Sequence, residues 1–176
     1  MSKIRTSIAA AFLGVIATTS LQLVPTAAIA NPVSAAAPRA QRVKVFLPKY
    51  PEQNNNLSYV APVWRQAQTP SVAQFAVSQV IAGPNAQEKR AGFTAPIQLR
   101  GASSCGKDFT LAIAANKATL RFCREVLSAG IGDDARILSS LTATLKQFPN
   151  VRSVAILDRN GDCLGDMSGE NRCLRR

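Results

Sequence analysis

Phe109-Thr110-Leu111-Ala112-Ile113-Ala114-Ala115-Asn116-Lys117-Ala118-Thr119-Leu120-Arg121-Phe122 is the stretch that decides the fold class. Phe109, Leu111 and Ile113, then Ala118, Leu120 and Phe122, alternate with small or polar residues in the period of a half-buried strand. Ala115-Asn116-Lys117 separates the two runs, so they form a hairpin. Downstream the period changes. After Ala129-Gly130-Ile131-Gly132, the pair Asp133 and Asp134 opens a segment in which Ile137, Leu138, Leu141, Leu145 and Phe148 share one stripe of a helix. Lys146 sits in the last turn, where the helix dipole favours a cation, and Pro149 stops the helix. Ser153 to Asp158 then returns to strand, and Asn160-Gly161 begins a tight turn.

Upstream, Val43, Val45 and Leu47 alternate with Lys44 and Phe46 as far as Pro48, a first strand. A second extended stretch, Leu57 to Gln66, contains Pro62, which cannot donate to a ladder and so marks an edge or a bulge. Thr69-Pro70-Ser71 supplies a capping hydroxyl and a proline for the first turn of a helix. Val72, Phe75, Ala76 and Val80 follow at helical spacing, and Gly83-Pro84 ends the element. A polar stretch with Glu88, Lys89 and Arg90 leads to a short extended piece, Ala95 to Leu99. The order strand, strand, helix, hairpin, helix, strand predicts an α+β fold. Its expected form is a single small mixed sheet with both amphipathic helices on one face and the other face at least partly open to water.

The first thirty residues carry the three parts of an export signal: Lys3 and Arg5, an apolar stretch from Ile8 to Val24, and the small-x-small site Ala28-Ile29-Ala30. Cleavage is expected between Ala30 and Asn31. Thr18, Thr19, Ser20 and Gln22 interrupt the apolar stretch, which argues against a membrane anchor. The first cysteine is Cys105, whereas a bacterial lipoprotein signal ends on one. The expected organisation is a signal peptide over 1–30, a flexible Ala/Pro-rich leader over 31–41, a domain over 42–162 and a C-terminal extension over 163–176. The mature chain is therefore expected to be extracytoplasmic and not an integral membrane protein. Cleavage removes two cations and no anions, lowering the net charge from +11 to +9. In that setting the available anions are wall polymers, lipid headgroups and acidic proteins rather than nucleic acid.

Cys105, Cys123, Cys163 and Cys173 are even in number, and an oxidising compartment makes disulfides the default. With no histidine and no Cys-x-x-Cys pair, a zinc site is not expected, nor is any other metal or cofactor. Cys105 and Cys123 flank the hairpin, and Cys163 and Cys173 bracket a Gly-rich turn, so local pairing is expected. Cys105–Cys173 with Cys123–Cys163 is not forbidden by the topology.

Several motifs fail on physical grounds. Gly101 to Asp108 comes within one residue of a phosphate-binding loop, but Asp108 stands where a hydroxyl is needed and a strand follows instead of a helix. Ser104 and Lys107 have acyl-enzyme spacing without the companion motifs. An EF-hand loop starting at Asp158 would need glycine and glutamate where Cys163 and Gly169 stand. The missing histidine removes the usual serine and cysteine relays.

The ordered features resemble the GerMN domain of bacterial spore-germination and envelope proteins. The resemblance is carried by the helix ending in Ala82-Gly83-Pro84, by Glu88-Lys89-Arg90-Ala91-Gly92 and Ala95-Pro96-Ile97, and by Leu145-Lys146-Gln147-Phe148-Pro149-Asn150-Val151 entering the last strand. It covers about Arg42 to Asp162 and implies an extracytoplasmic, non-enzymatic module similar to ring-building domains of sporulation complexes. The family often occurs on lipoproteins or in tandem, and the four cysteines lie outside its common pattern.

If Val43, Val45, Leu120 and Phe122 face the helices, alternation sends Lys44, Phe46, Thr119 and Arg121 to the opposite face. These four are the candidate binding residues for an anionic envelope component. No catalytic residue is identified. The alternatives are a wall- or glycan-acting enzyme, which needs paired carboxylates in a cleft, and a protein inhibitor presenting the Cys163 to Cys173 loop.

Overall fold

A computed structural model of the chain describes residues 40–175. The signal sequence, its cleavage point and most of the leader lie outside the described residues. The architecture is α+β. β1 (Gln41–Pro48) pairs antiparallel with β2 (Val60–Ala67). After α1 (Val72–Ala82) and the short α2 (Ala86–Arg90) comes β3 (Leu99–Arg100), then the hairpin β4 (Phe109–Ala114) and β5 (Lys117–Phe122). β6 (Glu125–Val126) precedes the long α3 (Ile131–Lys146) and β7 (Ser153–Leu157).

The strands form three ladders instead of the single sheet expected: β1–β2, β3–β6 and β4–β5–β7. Within the last, β5 and β7 run parallel and β4 antiparallel, so the mixed character lies there. β1 does not extend into a larger sheet because its outer edge is already occupied. The N–H of Lys44 donates to Gln147 Oε1 at 2.9 Å, Gln147 Nε2 donates to the Lys44 carbonyl at 2.7 Å, and the N–H of Phe46 donates to Thr144 Oγ1 at 3.0 Å. β2 closes the other side: Pro62 stands opposite Phe46, in the same alternation that turns the Phe46 N–H outward, so its missing donor falls on the free edge. Side chains at one edge and a proline at the other protect the ribbon from further pairing.

The core forms where α1 and α3 cover these ladders. Val77 and Val80 of α1, and Ile137, Leu141 and Leu145 of α3, meet Val45, Leu47, Leu120, Phe122 and Ile156, and all are buried. Full burial of such a side chain contributes about 1.5–3 kcal/mol. α1 stops at Gly83 in a backbone conformation (φ +74°, ψ −166°) that only glycine adopts readily. A Cβ there would lie 2.9 Å from that of Ala95.

Three local features differ from the sequence reading. The polar stretch after Pro84 is a helix, α2, closed by a capping box in which Asn85 Oδ1 accepts the Glu88 N–H and Glu88 Oε2 accepts the Asn85 N–H. The β4–β5 loop has two residues, not three: Ala115 and Asn116 are both left-handed (φ +48° and +61°) and Lys117 already belongs to β5. The outward face of β4–β5–β7 is open at Thr110, Ala112 and Ala114 but closed at β7, where Ala155 and Leu157 are buried. The C-terminal segment covers that side, with Lys117 Nζ donating to the carbonyls of Cys173 and Leu174, both at 3.0 Å.

Candidate functional site

The antiparallel register of β1 and β2 sets Trp64 directly opposite Lys44. Because the Lys44 N–H and C=O point toward Gln147 and not toward β2, this is a non-hydrogen-bonded pair, the kind that brings side chains closest. Lys44 Nζ lies 5.4 Å from the Trp64 ring centroid, and Arg42, two residues back on the same face, places its guanidinium carbon 4.6 Å from it. Trp64 remains 51 % exposed. Among the described residues neither cation has a carboxylate within ion-pair distance. The result is an aromatic surface flanked by two cations with charge to spare, each held there by a cation–aromatic contact worth about 0.5–1 kcal/mol at an exposed site.

The inner side of the ribbon holds this face in place. Arg65, next to Trp64, turns the other way and forms a bidentate pair with Glu88 of α2 at 2.6 and 2.7 Å, both side chains largely shielded. That hydrogen bond holds the Glu88 carboxyl below its ordinary range, against the opposing effect of burial.

Of the four residues expected to share an outer face, the structure keeps Lys44 and Phe46 together on β1 and sets Thr119 and Arg121 in a separate ladder on β5. Phe46 is half-buried opposite Pro62. Thr119 lies between Ala112 and Ala155. Arg121 is exposed but turned to the turn that follows β7, where Nη2 donates to the Arg159 carbonyl at 2.8 Å. Arg42 and Trp64 also belong to the face: the alternation that places Lys44 extends to Arg42 two residues back, whereas only the β1–β2 register shows that Trp64 opposes Lys44.

The other motifs take structural roles. Asp158 Oδ1 accepts the N–H groups of Asn160, Gly161 and Asp162 at 2.8 to 3.0 Å and so closes a turn. Among the described residues no group of three His, Cys, Asp or Glu side chains is placed to hold a metal. Cys105 is bonded to Cys123 and Cys163 to Cys173. No described helix is long and apolar enough to cross a membrane.

Residues 44–162 match the family described as Germane, sporulation and spore germination. The chain belongs to that family. Among solved structures it is similar to the tandem GerMN domains of the sporulation protein GerM from Bacillus subtilis, at 19 % identity and TM-score 0.46 over 78 % of this chain. It spans 47 % of that tandem structure. It is also similar to the first GerMN domain of the same protein, at 20 % identity and TM-score 0.48, covering 72 % of this chain and 88 % of that one. A third is a protein from Clostridium perfringens described as a lipoprotein, at 17 % identity and TM-score 0.38, covering 72 % and 80 %. No curated protein matches the chain. As a GerMN-family domain it carries the Arg42–Lys44–Trp64 face on the ribbon formed by β1 and β2, while both disulfides lie in the C-terminal part of the chain.

Proposed function

We propose that this chain is an exported, non-enzymatic GerMN-family module, cleaved after Ala30, that binds an anionic component of the cell envelope through Arg42, Lys44 and Trp64. The observation that carries the reading is the half-exposed Trp64 ring with two cations within 5.4 Å that have no carboxylate partner among the described residues. Cations supply attraction to phosphate or carboxylate groups, and an indole face stacks on sugar rings or acyl-chain methylenes. An extracytoplasmic address agrees with two disulfides and with the small-x-small site preceding Asn31.

The test is retention of the mature protein on isolated wall, on anionic vesicles and on envelope extract as ionic strength rises. Binding should fall steeply as the Debye length shortens from about 10 Å at 0.1 M to about 3 Å at 1 M. Arg42→Glu with Lys44→Glu should abolish it on whichever matrix retains the wild type. Retention that ignores salt, or none on any matrix, overturns the reading.

One observation favours the inhibitor as a second reading. Met167, 86 % exposed, stands at the tip of the Cys163–Cys173 loop, which is internally tied by Asp166 Oδ1 accepting from Ser168 and by Asn171 Oδ1 accepting the Cys163 N–H. Resistance of that loop to cleavage, together with inhibition of an envelope protease, would select it.

A further inference from the structure

A groove of about 600 Å³ lies between α3, β7 and the C-terminal loop, and its lining includes none of Arg42, Lys44 and Trp64. Its floor is a strand edge. The N–H groups of Arg152 and Ser153 both donate to the Asn116 carbonyl on the β5 side, at 2.7 and 3.1 Å, and from Ser153 onward alternation turns the backbone groups of Val154 and Ile156 outward. The chain itself begins to pair there: Cys163 bridges to Leu157, and the N–H of Leu164 donates to the Ile156 carbonyl at 2.9 Å. At Gly165 (φ +74°) the segment turns away, with the Asp166 N–H closing back on the Cys163 carbonyl. By the same alternation the next outward position, Val154, turns its N–H and C=O away from β5, and no hydrogen bond outside the ladder reaches it among the described residues.

The groove is also cationic. Lys146 from the last turn of α3 and Arg152 at the start of β7 line it, and neither has a carboxylate partner among the described residues. Arg172 lines it as well, paired with Glu170. The one acid in the lining, Asp166, accepts from the backbone and hydroxyl of Ser168 through Oδ1, while its Oδ2 is buried without a hydrogen-bond partner among the described residues.

We propose that this groove receives an extended acidic segment of a partner protein, which continues on β7 the antiparallel pairing that Cys163 and Leu164 begin. Backbone hydrogen bonds at Val154 give the attachment, and alternate acidic side chains reach Lys146 and Arg152. A polymer without peptide groups could satisfy the cations but not the strand edge.

The experiment titrates ¹⁵N-labelled mature protein with a synthetic peptide of alternating Glu and Val, and in parallel with one in which every Val is Pro. The Glu/Val peptide should shift the Val154 amide and slow its hydrogen exchange, leaving the Trp64 indole resonance unmoved. Arg152→Glu, an exposed change outside the core, should weaken binding by roughly tenfold or more. The Pro peptide, which keeps the charge but has φ held at about −65° and no N–H at every second residue, cannot lie along β7 as a strand and should leave Val154 unprotected. No response at Val154 at millimolar peptide overturns the proposal. Equal binding of the Pro peptide shows charge attraction alone, and shifts confined to Arg42, Lys44 and Trp64 assign the peptide to the other face. Either result also overturns it.

Discussion

Gln147 pairs with the backbone of Lys44 as a neighbouring strand would, donating from Nε2 to the carbonyl at 2.7 Å and accepting the N–H on Oε1 at 2.9 Å. Its amide also donates to the Thr144 carbonyl at 2.6 Å, which ties it to the end of α3. One side chain thereby fixes the helix end to the strand edge and sets the backbone from which Lys44 faces Trp64. Gln147→Ala should destabilise the fold by about 1–3 kcal/mol, since the Lys44 backbone groups lose their partners. Gln147→Leu, which restores volume without donors, should not rescue it. Urea unfolding measures both, and sedimentation should show concentration-dependent association through the freed edge. Two variants within about 0.5 kcal/mol of wild type would remove Gln147 from the account of the fold.

The Arg65–Glu88 pair predicts an acid limb. The Arg65 guanidinium depresses the folded-state pKa of Glu88, so its contribution is present above the ordinary carboxyl range and is lost as pH falls through the lower folded value. Glu88→Gln should destabilise by about 1–3 kcal/mol near neutral pH and flatten stability below that value. Urea midpoints collected from about pH 7 to about pH 3 decide this, because an acid limb identical to wild type would mean that Glu88 contributes nothing to it.

Ala115 adopts φ +48° in the β4–β5 turn, a region that costs most L residues about 1–2 kcal/mol and that asparagine tolerates better. Ala115→Asn should therefore raise stability by about 0.5–1 kcal/mol, seen as a melting temperature higher by about 2–4 °C. An unchanged or lower melting temperature would count against the turn geometry.

The C-terminal segment protects β7 while Cys163–Cys173 holds it and Lys117 clamps its end. Replacing both cysteines with serine should cost about 2–4 kcal/mol and speed hydrogen exchange along β7. Nonreducing peptide mapping of the wild type should recover Cys105 linked to Cys123 and Cys163 linked to Cys173. A peptide joining Cys123 to Cys163 would contradict the arrangement.

Much of the fold was legible because it rests on local signals. The stripe from Ile137 to Leu145 makes α3, the alternation from Phe109 to Phe122 makes the hairpin, and Gly83-Pro84 ends α1. β6 was not legible, since two residues show no period and exist as a strand only by pairing with the distant Leu99 and Arg100. α2 was hidden in a polar run whose one signal was Asn85 three residues before Glu88. The candidate site was half legible. Alternation put Lys44 on the outer face, but grouping it with Arg121 assumed one sheet, and the side chains that end the β1 ladder come from Thr144 and Gln147, about a hundred residues away in sequence.

Trp64 is the single tryptophan of the chain, so its emission reports on the proposed face alone. The most direct measurement is a fluorescence titration of the mature protein with a soluble anionic wall polymer, at low salt and again near 1 M. A saturable change in Trp64 emission that disappears at high salt, and that is absent from the Arg42→Glu, Lys44→Glu variant, is the expected result. Polymer binding confirmed by sedimentation with no change in Trp64 emission would contradict the assignment of this face.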